Sequence, residues 1–198
     1  GTPVDVFRPV AEAGVRICLG NIEFHYFAGY SGGVKAIMPG VSTREAIQAN
    51  HREMVRAEAC AGSLAGNPVR EDIEEAGRLC PAACIGNVVL GEDRKILGAF
   101  AGHPVEAHRA GCAFLDSLYK VRLEAPADVV LVSAGGSPKD INLYQAQKAL
   151  DNAKQAVVDG GTIILVARCA EGLGDEAFSR WVLRGDTPER MVARIRET

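Results

Sequence analysis

Apolar positions fall into short blocks separated by glycine- and proline-rich breaks, and the period within each block predicts the element it forms. Thr2-Pro3 can cap and open a short helix reaching Gly14, and Val15 to Leu19 reads as a buried strand. Gly20 to Gly40 holds too much glycine and too many aromatics for one regular element, which predicts an extended segment followed by a loop. Ser42-Thr43-Arg44-Glu45 fits a capping box with the serine hydroxyl as cap, opening a helix to about Cys60. Along that helix Ala46, Asn50 and Met54 share one side, and Ile47, His51 and Val55 a neighbouring one. Asn67-Pro68 starts a helix that ends before Pro81.

Ile85 to Leu90 and Ile96 to Ala101 flank Gly91-Glu92-Asp93-Arg94, a hairpin signal. Pro104 to Leu118 is helical by pattern, with Ala107, Ala110, Gly111, Phe114, Leu115 and Leu118 as its apolar face. The pattern changes after Glu124-Ala125-Pro126-Ala127. Val129 to Ser133 is a nearly continuous apolar run, the mark of a parallel strand covered on both faces. A helix from about Asn142 to Val158 and a strand from Thr162 to Ala167 complete a Rossmann-like βαβ unit. The fold class expected is therefore α/β, with two unlike α/β regions, residues 1–124 and 125–198. Ligands of such a βαβ unit sit beyond the carboxyl ends of its strands, here at Gly135 to Asp140 and Arg168 to Gly174.

Composition narrows the function classes. A net charge of -3 and the absence of a basic run argue against nucleic-acid binding. No apolar run is long enough to cross a bilayer and no signal peptide is visible, so a cytoplasmic protein without a membrane partner is expected. The six cysteines are scattered through predicted elements, so most are expected to be reduced core residues, and the close pair Cys80 and Cys84 lacks further ligands at metal-site spacing. The chain begins Gly1-Thr2-Pro3 without methionine and stops in a predicted helix, which suggests a fragment.

Candidate chemistry concentrates in His25-Tyr26-Phe27-Ala28-Gly29-Tyr30-Ser31-Gly32-Gly33-Val34-Lys35 and in Asn50-His51. Glycine-turn amides beside a flexible lysine suit a phosphate, although the spacing is not that of a Walker loop. Read locally, the turn equally fits a tight bend with a solvated lysine, and His51 a core histidine. Surface or packing roles are the default for His103 and His108.

The larger arrangement resembles the core motif of the lactate racemase family, whose members racemise or epimerise 2-hydroxy acids with a nickel-pincer nucleotide. The resemblance rests on His25 to Gly33, Lys35, Pro39-Gly40, Asn50-His51 and Gly66-Asn67-Pro68, and resumes at Gly135-Gly136, Asp140 to Gln145 and Lys148. It implies a cofactor-attachment domain whose C-terminal part is residues 1–124. It also implies a substrate-closing domain that begins at 125 and is incomplete at 198.

Lys35 then matches the lysine bound covalently to the cofactor, the mononucleotide of pyridinium-3-thioamide-5-thiocarboxylic acid with nickel. His51 matches the nickel ligand, His25 one of two acid/base histidines, and Gln145 and Lys148 substrate-binding residues. The implied reaction moves a hydride from the substrate carbon to the cofactor and back while histidines carry the hydroxyl proton. The implied partners are a small 2-hydroxy acid, the missing N- and C-terminal segments and the cofactor-making enzymes. Protein from an ordinary host is expected to lack the cofactor.

Two positions depart from the family pattern, Val34 where many relatives carry arginine and Phe24 where they often carry proline. The second catalytic histidine and the substrate arginine have no counterpart in this sequence, so the isolated chain is expected to be inactive. The alternative is a non-enzymatic module that binds a nucleotide or organic acid on the same scaffold.

Overall fold

The computed structural model describes residues 1–197, divided into two units, Gly1–Lys120 and Val121–Thr198.

Unit 1 opens with helix α1 (Arg8–Ala11), strand β1 (Ile17–Asn21), and a two-strand ribbon of β2 (Phe24–His25) and β3 (Gly29–Tyr30). A 3-10 turn (Gly33–Ala36), helices α2 (Arg44–Arg52) and α3 (Pro68–Leu79), strands β4 (Cys84–Leu90) and β5 (Ile96–Gly102) and helix α4 (Glu106–Tyr119) follow. The sheet order is β1-β4-β5, with β1 parallel to β4 and β5 antiparallel.

The predicted first helix is largely wrong: Thr2-Pro3 does not start it, because Val6 is held extended by a bridge to Ser42. The cap of α2 also shifts by one residue. Thr43 accepts from the Ala46 amide at 3.4 Å, while the Ser42 hydroxyl instead donates to the Ile37 carbonyl at 2.8 Å. That helix stops at Arg52 and gives way to a 3-10 turn, short of Cys60. Strand β1 is half-buried rather than buried, with Cys18 inside and Ile17 and Leu19 exposed.

Helix α3 forms as its sequence predicts. The Asn67 side chain accepts from the Val69 and Arg70 amides at 3.1 and 3.2 Å, and Pro68 supplies the first helical position. Its buried stripe is Val69, Arg70, Ile73, Ala76 and Gly77, at helical spacing but with one charge in the row. Gly77 is required there: a Cβ would stand 2.7 Å from the Val34 side chain. Strand β4 alternates strictly, burying Ile85, Asn87 and Val89 on one face. The hairpin with β5 forms as predicted, with a register shift at Val89/Leu90. In α4 the buried positions are His108, Gly111, Cys112 and Leu115, so the inward face is rotated from the predicted one and leaves Leu118 exposed.

Three apolar clusters fill unit 1. Phe27, Val34, Met38, Val69 and Ile73 pack under the glycine turn. Ile22, Tyr30, Val89, Cys112 and Leu115 lie beside it, and Cys18, Ile37, Cys80 and Ile85 complete the core. Fully burying a side chain such as Ile73 or Ile22 contributes about 1.5–3 kcal/mol. All six cysteines are free, as expected from their scatter.

Unit 2 contains strand β6 (Ala127–Ser133), helices α5 (Leu143–Ala146) and α6 (Lys148–Ala153), strand β7 (Val157–Val166) and helices α7 (Glu176–Leu183) and α8 (Pro188–Glu197). Strands β6 and β7 pair in parallel, so the βαβ unit is present. Its helix differs from expectation. It breaks at Gln147, and residues 157–161 join β7 instead of extending the helix, since the β-branched Val157 and Val158 favour strand and Gly160 and Gly161 disfavour helix. One face of the strands is open among the described residues, with Val129, Leu131, Ile164 and Val166 exposed. The near-continuous apolar run predicted cover on both faces, and these residues contribute cover on one. No helix among the described residues is long and apolar enough to cross a membrane.

Candidate functional site

The site begins with an aromatic ladder. The His25 ring packs edge-on to Phe27 with centroids 4.6 Å apart, and Phe27 packs edge-on to His51 at 4.9 Å. Phe27 is buried, so a ring fixed in the core contacts both histidines. Tyr26 stacks on His25 at 5.2 Å and meets Phe27 at 4.6 Å. His25 ends β2, and its Nδ1 accepts the Ala28 amide at 3.2 Å. A nitrogen that accepts has no proton, so in the neutral ring the proton is on Nε2.

His51 is in the last turn of α2 and half-buried, with a buried Nδ1 that has no well-formed hydrogen bond. Burial pushes its pKa down, the Ile47 carbonyl one turn back opposes that shift, and the Lys35 ammonium adds to it. The imidazole is therefore neutral near pH 7, the form that ligates a metal.

Lys35 lies in the 3-10 turn after Gly32 and Gly33, both with positive φ. Burial, and then the Arg70 guanidinium, lower its pKa below the ordinary lysine value. Val34, beside it, is turned into the core against Gly77 rather than toward Lys35. The departure from arginine at this position thus serves packing. Phe24 is likewise a packing residue, with its ring 5.4 Å from that of Tyr30.

In unit 2, Gln145 and Lys148 meet as their spacing implies, although they occupy two consecutive helices. Lys148 Nζ donates to Gln145 Oε1 at 2.8 Å and lies 5.6 Å from the centroid of the Tyr144 ring. With Ser133, Ala134 and Lys139 they line a cleft of ≈ 370 Å³ at the carboxyl end of β6. This is the strand end where ligands of α/β sheets gather. Two ammonium groups and an amide suit a small carboxylate.

His103 is exposed, and His108 is buried against the glycine turn, so of the four histidines only His25 and His51 border Phe27. No cluster of three or more metal-ligating side chains occurs among the described residues. Sequence reasoning missed Arg70, Asn87 and His108, three polar side chains buried beneath the turn. Each interrupts an otherwise apolar buried row, and that interruption was the available signal.

The lactate racemase N-terminal domain family matches residues 1–62, and the lactate racemase C-terminal domain family matches residues 123–198. The lactate racemase of Thermoanaerobacterium thermosaccharolyticum is 39% identical over 197 residues, 98% of this chain and 46% of that protein. That of Lactiplantibacillus plantarum is 40% identical over 187 residues, 93% of this chain and 44% of the relative. The structure of the lactate racemase apoprotein from T. thermosaccharolyticum superposes with a TM-score of 0.92 at 38% identity, over 98% of this chain and 46% of that one. A Thermotoga maritima protein with a TM-score of 0.63 and 21% identity, covering 80% of this chain and 41% of its own, shares the fold. The chain spans about half the length of the curated relatives it matches. With both domain families matched in chain order and near-complete coverage at this identity, the chain belongs to the lactate racemase family.

Proposed function

We propose that this chain belongs to a racemase or epimerase of small 2-hydroxy acids, and that Lys35 is the covalent attachment point of its nickel-pincer nucleotide. The observation that carries this reading is the pairing of Lys35 with His51. An amine and an imidazole stand within electrostatic reach of each other, half-buried, and burial disfavours the charged form of both. A lysine on the open surface would not show this, and a core histidine far from any lysine would not share its surroundings with an amine.

The residues present fit the proposed group. His51 has a buried Nδ1 with no well-formed hydrogen bond, in a ring whose charged form burial disfavours, and a neutral imidazole suits nickel. Lys35, with its ammonium form disfavoured, suits acylation. The T. thermosaccharolyticum structure is that of an apoprotein, which accords with a group added to the folded chain. When bound, the group supplies a two-electron acceptor and donor for the hydrogen on the substrate's carbon.

The chain's own residues hold and move the proton. His25 is the acid/base group for the substrate hydroxyl. For Nε2 to take that proton, the ring's other proton must be on Nδ1, so the Ala28 amide bond has to break as the ring switches tautomer. Phe27 keeps the His25 and His51 rings a fixed distance apart and excludes water between them. Gln145 and Lys148 bind the substrate carboxylate, and Lys148 exchanges its bond to Gln145 for one to the anion.

The test is interconversion of D- and L-2-hydroxy acids, followed by chiral chromatography, with the whole parent protein produced beside the cofactor-making enzymes. Lys35→Ala and His51→Ala are expected to abolish turnover, and Gln145→Ala and Lys148→Ala to raise KM. Full turnover by Lys35→Ala would refute the assignment.

A further inference from the structure

The backbone of the glycine turn is bonded by side chains from three other elements. The Asn67 amide, at the start of α3, donates to the Phe27 carbonyl at 2.9 Å. One helical turn on, Arg70 Nε donates to the Ala28 carbonyl at 3.2 Å and its Nη2 to the Tyr30 carbonyl. From α4, His108 Nε2 donates to the Ser31 carbonyl at 2.8 Å. From β4, Asn87 Oδ1 accepts the Gly33 amide at 2.7 Å.

All four side chains are at most 2% exposed, and together they engage five peptide groups between Phe27 and Gly33. Buried polar groups are costly unless satisfied, and a buried charge most of all. Arg70 is buried although its Nη1 has no hydrogen-bond partner, and among the described residues it forms no salt bridge. The turn has little room to move: a Cβ on Gly33 would stand 3.0 Å from the His108 ring, and one on Gly32 2.9 Å from Asn87 Oδ1.

We propose that Asn67, Arg70, Asn87 and His108 are positioning residues, a buried hydrogen-bonded clamp that holds residues 27–33 as one preformed seat and so presents Lys35 for cofactor attachment. The purpose of the clamp rests on the reading of Lys35 given above, whereas its existence does not. Because the four side chains grip successive peptide groups of one short segment, releasing one bond loosens its neighbours. His25 and Phe27 are at the other end of the same segment, so the clamp also fixes the spacing of the aromatic ladder.

The test is residue-resolved amide exchange in the whole protein, read at the Gly33 amide, which is hydrogen-bonded to Asn87 and not to His108. In His108→Leu, which fills the space without a donor, Gly33 is expected to exchange at least about tenfold faster. His108→Gln, whose amide nitrogen reaches as far as His Nε2, is expected to restore the parent rate to within about threefold. Should His108→Leu not fold, Asn87→Leu read at the Ser31 amide gives the same comparison, since that amide donates to Glu23 and not to Asn87.

An unchanged Gly33 rate in His108→Leu, an unchanged Ser31 rate in Asn87→Leu, or equal acceleration in the leucine and glutamine variants of His108 would overturn the clamp. A second readout, the fraction of Lys35 carrying an adduct after co-production with the cofactor-making enzymes, is expected to fall at least about threefold in His108→Leu and recover in His108→Gln. If the parent itself carries no adduct, the attachment reading fails, and the exchange result still decides the clamp.

Discussion

The two units use the same α/β vocabulary to opposite effect. Unit 1 buries polar side chains and satisfies most of their bonding groups, and its apolar residues form three closed clusters around the glycine turn. In unit 2 the only buried apolar residues among those described are Ala146 and Ala153, while Leu131 and its register partner Ile164 are 70% and 47% exposed. The difference lies in how each cluster of candidate residues is supported. Lys35 and His51 are seated on a closed core. The cleft lined by Gln145 and Lys148 sits at the end of a strand whose outer face these residues leave open.

The sharpest way to break that comparison is to truncate one core residue in each unit. Ile73→Ala, at a fully buried position, is expected to cost about 2–5 kcal/mol, and Leu131→Ala less than about 1 kcal/mol, in urea titrations of the whole protein. Equal costs would mean that the open face of unit 2 is covered in solution.

Next in size is an acid-sensitive component confined to unit 1. Burial above all, then the Arg70 charge, depress the pKa of His108 to about 4, against the pull of the Ser31 carbonyl. Its unfolded value is near 6.5, so below that pH the unfolded chain binds the extra proton. Stability is fully present above pH 6.5 and is lost as pH falls toward 4. The loss is on the order of 3 kcal/mol. His108→Gln should flatten this limb in urea midpoints taken between those two pH values.

Smaller again, Asn67→Ala removes the α3 cap and the bond to the Phe27 carbonyl, and about 1–2 kcal/mol is expected. Smallest is Lys120→Ala, which breaks a 3.3 Å ion pair to Asp116 between partly exposed groups and should change stability by less than about 0.5 kcal/mol.

Much of the frame could be read from the sequence because local signals decide it. Asn67-Pro68 caps α3, Gly91 to Arg94 turns the hairpin, and the apolar runs near Val130 and Ile163 form parallel strands. Tertiary pairing overrode local preference elsewhere: the bridge from Val6 to Ser42 keeps the first residues extended, and Val157 pairs with Ala127 of β6 rather than continuing a helix.

The candidate site divides in the same way. The family resemblance singled out His25, Lys35, His51, Gln145 and Lys148, and the fold brings the first three around Phe27 and the glycine turn, and the last two into one cleft. Its supporting residues were hidden because Arg70, Asn87 and His108 are dispersed along the chain and act on backbone atoms, which a sequence motif does not record. A polar residue in a buried row is their trace, legible only once the row is known to be buried.

The central claim is that Lys35 carries the cofactor and His51 binds its metal. The most direct measurement is the mass of the Lys35 peptide, with nickel determined on the same sample, from whole protein co-produced with the cofactor-making enzymes. The account predicts an adduct on Lys35 with about one nickel per chain, both lost in Lys35→Ala, and an adduct with little nickel in His51→Ala. An unmodified Lys35 peptide in a preparation that racemises its substrate would contradict it.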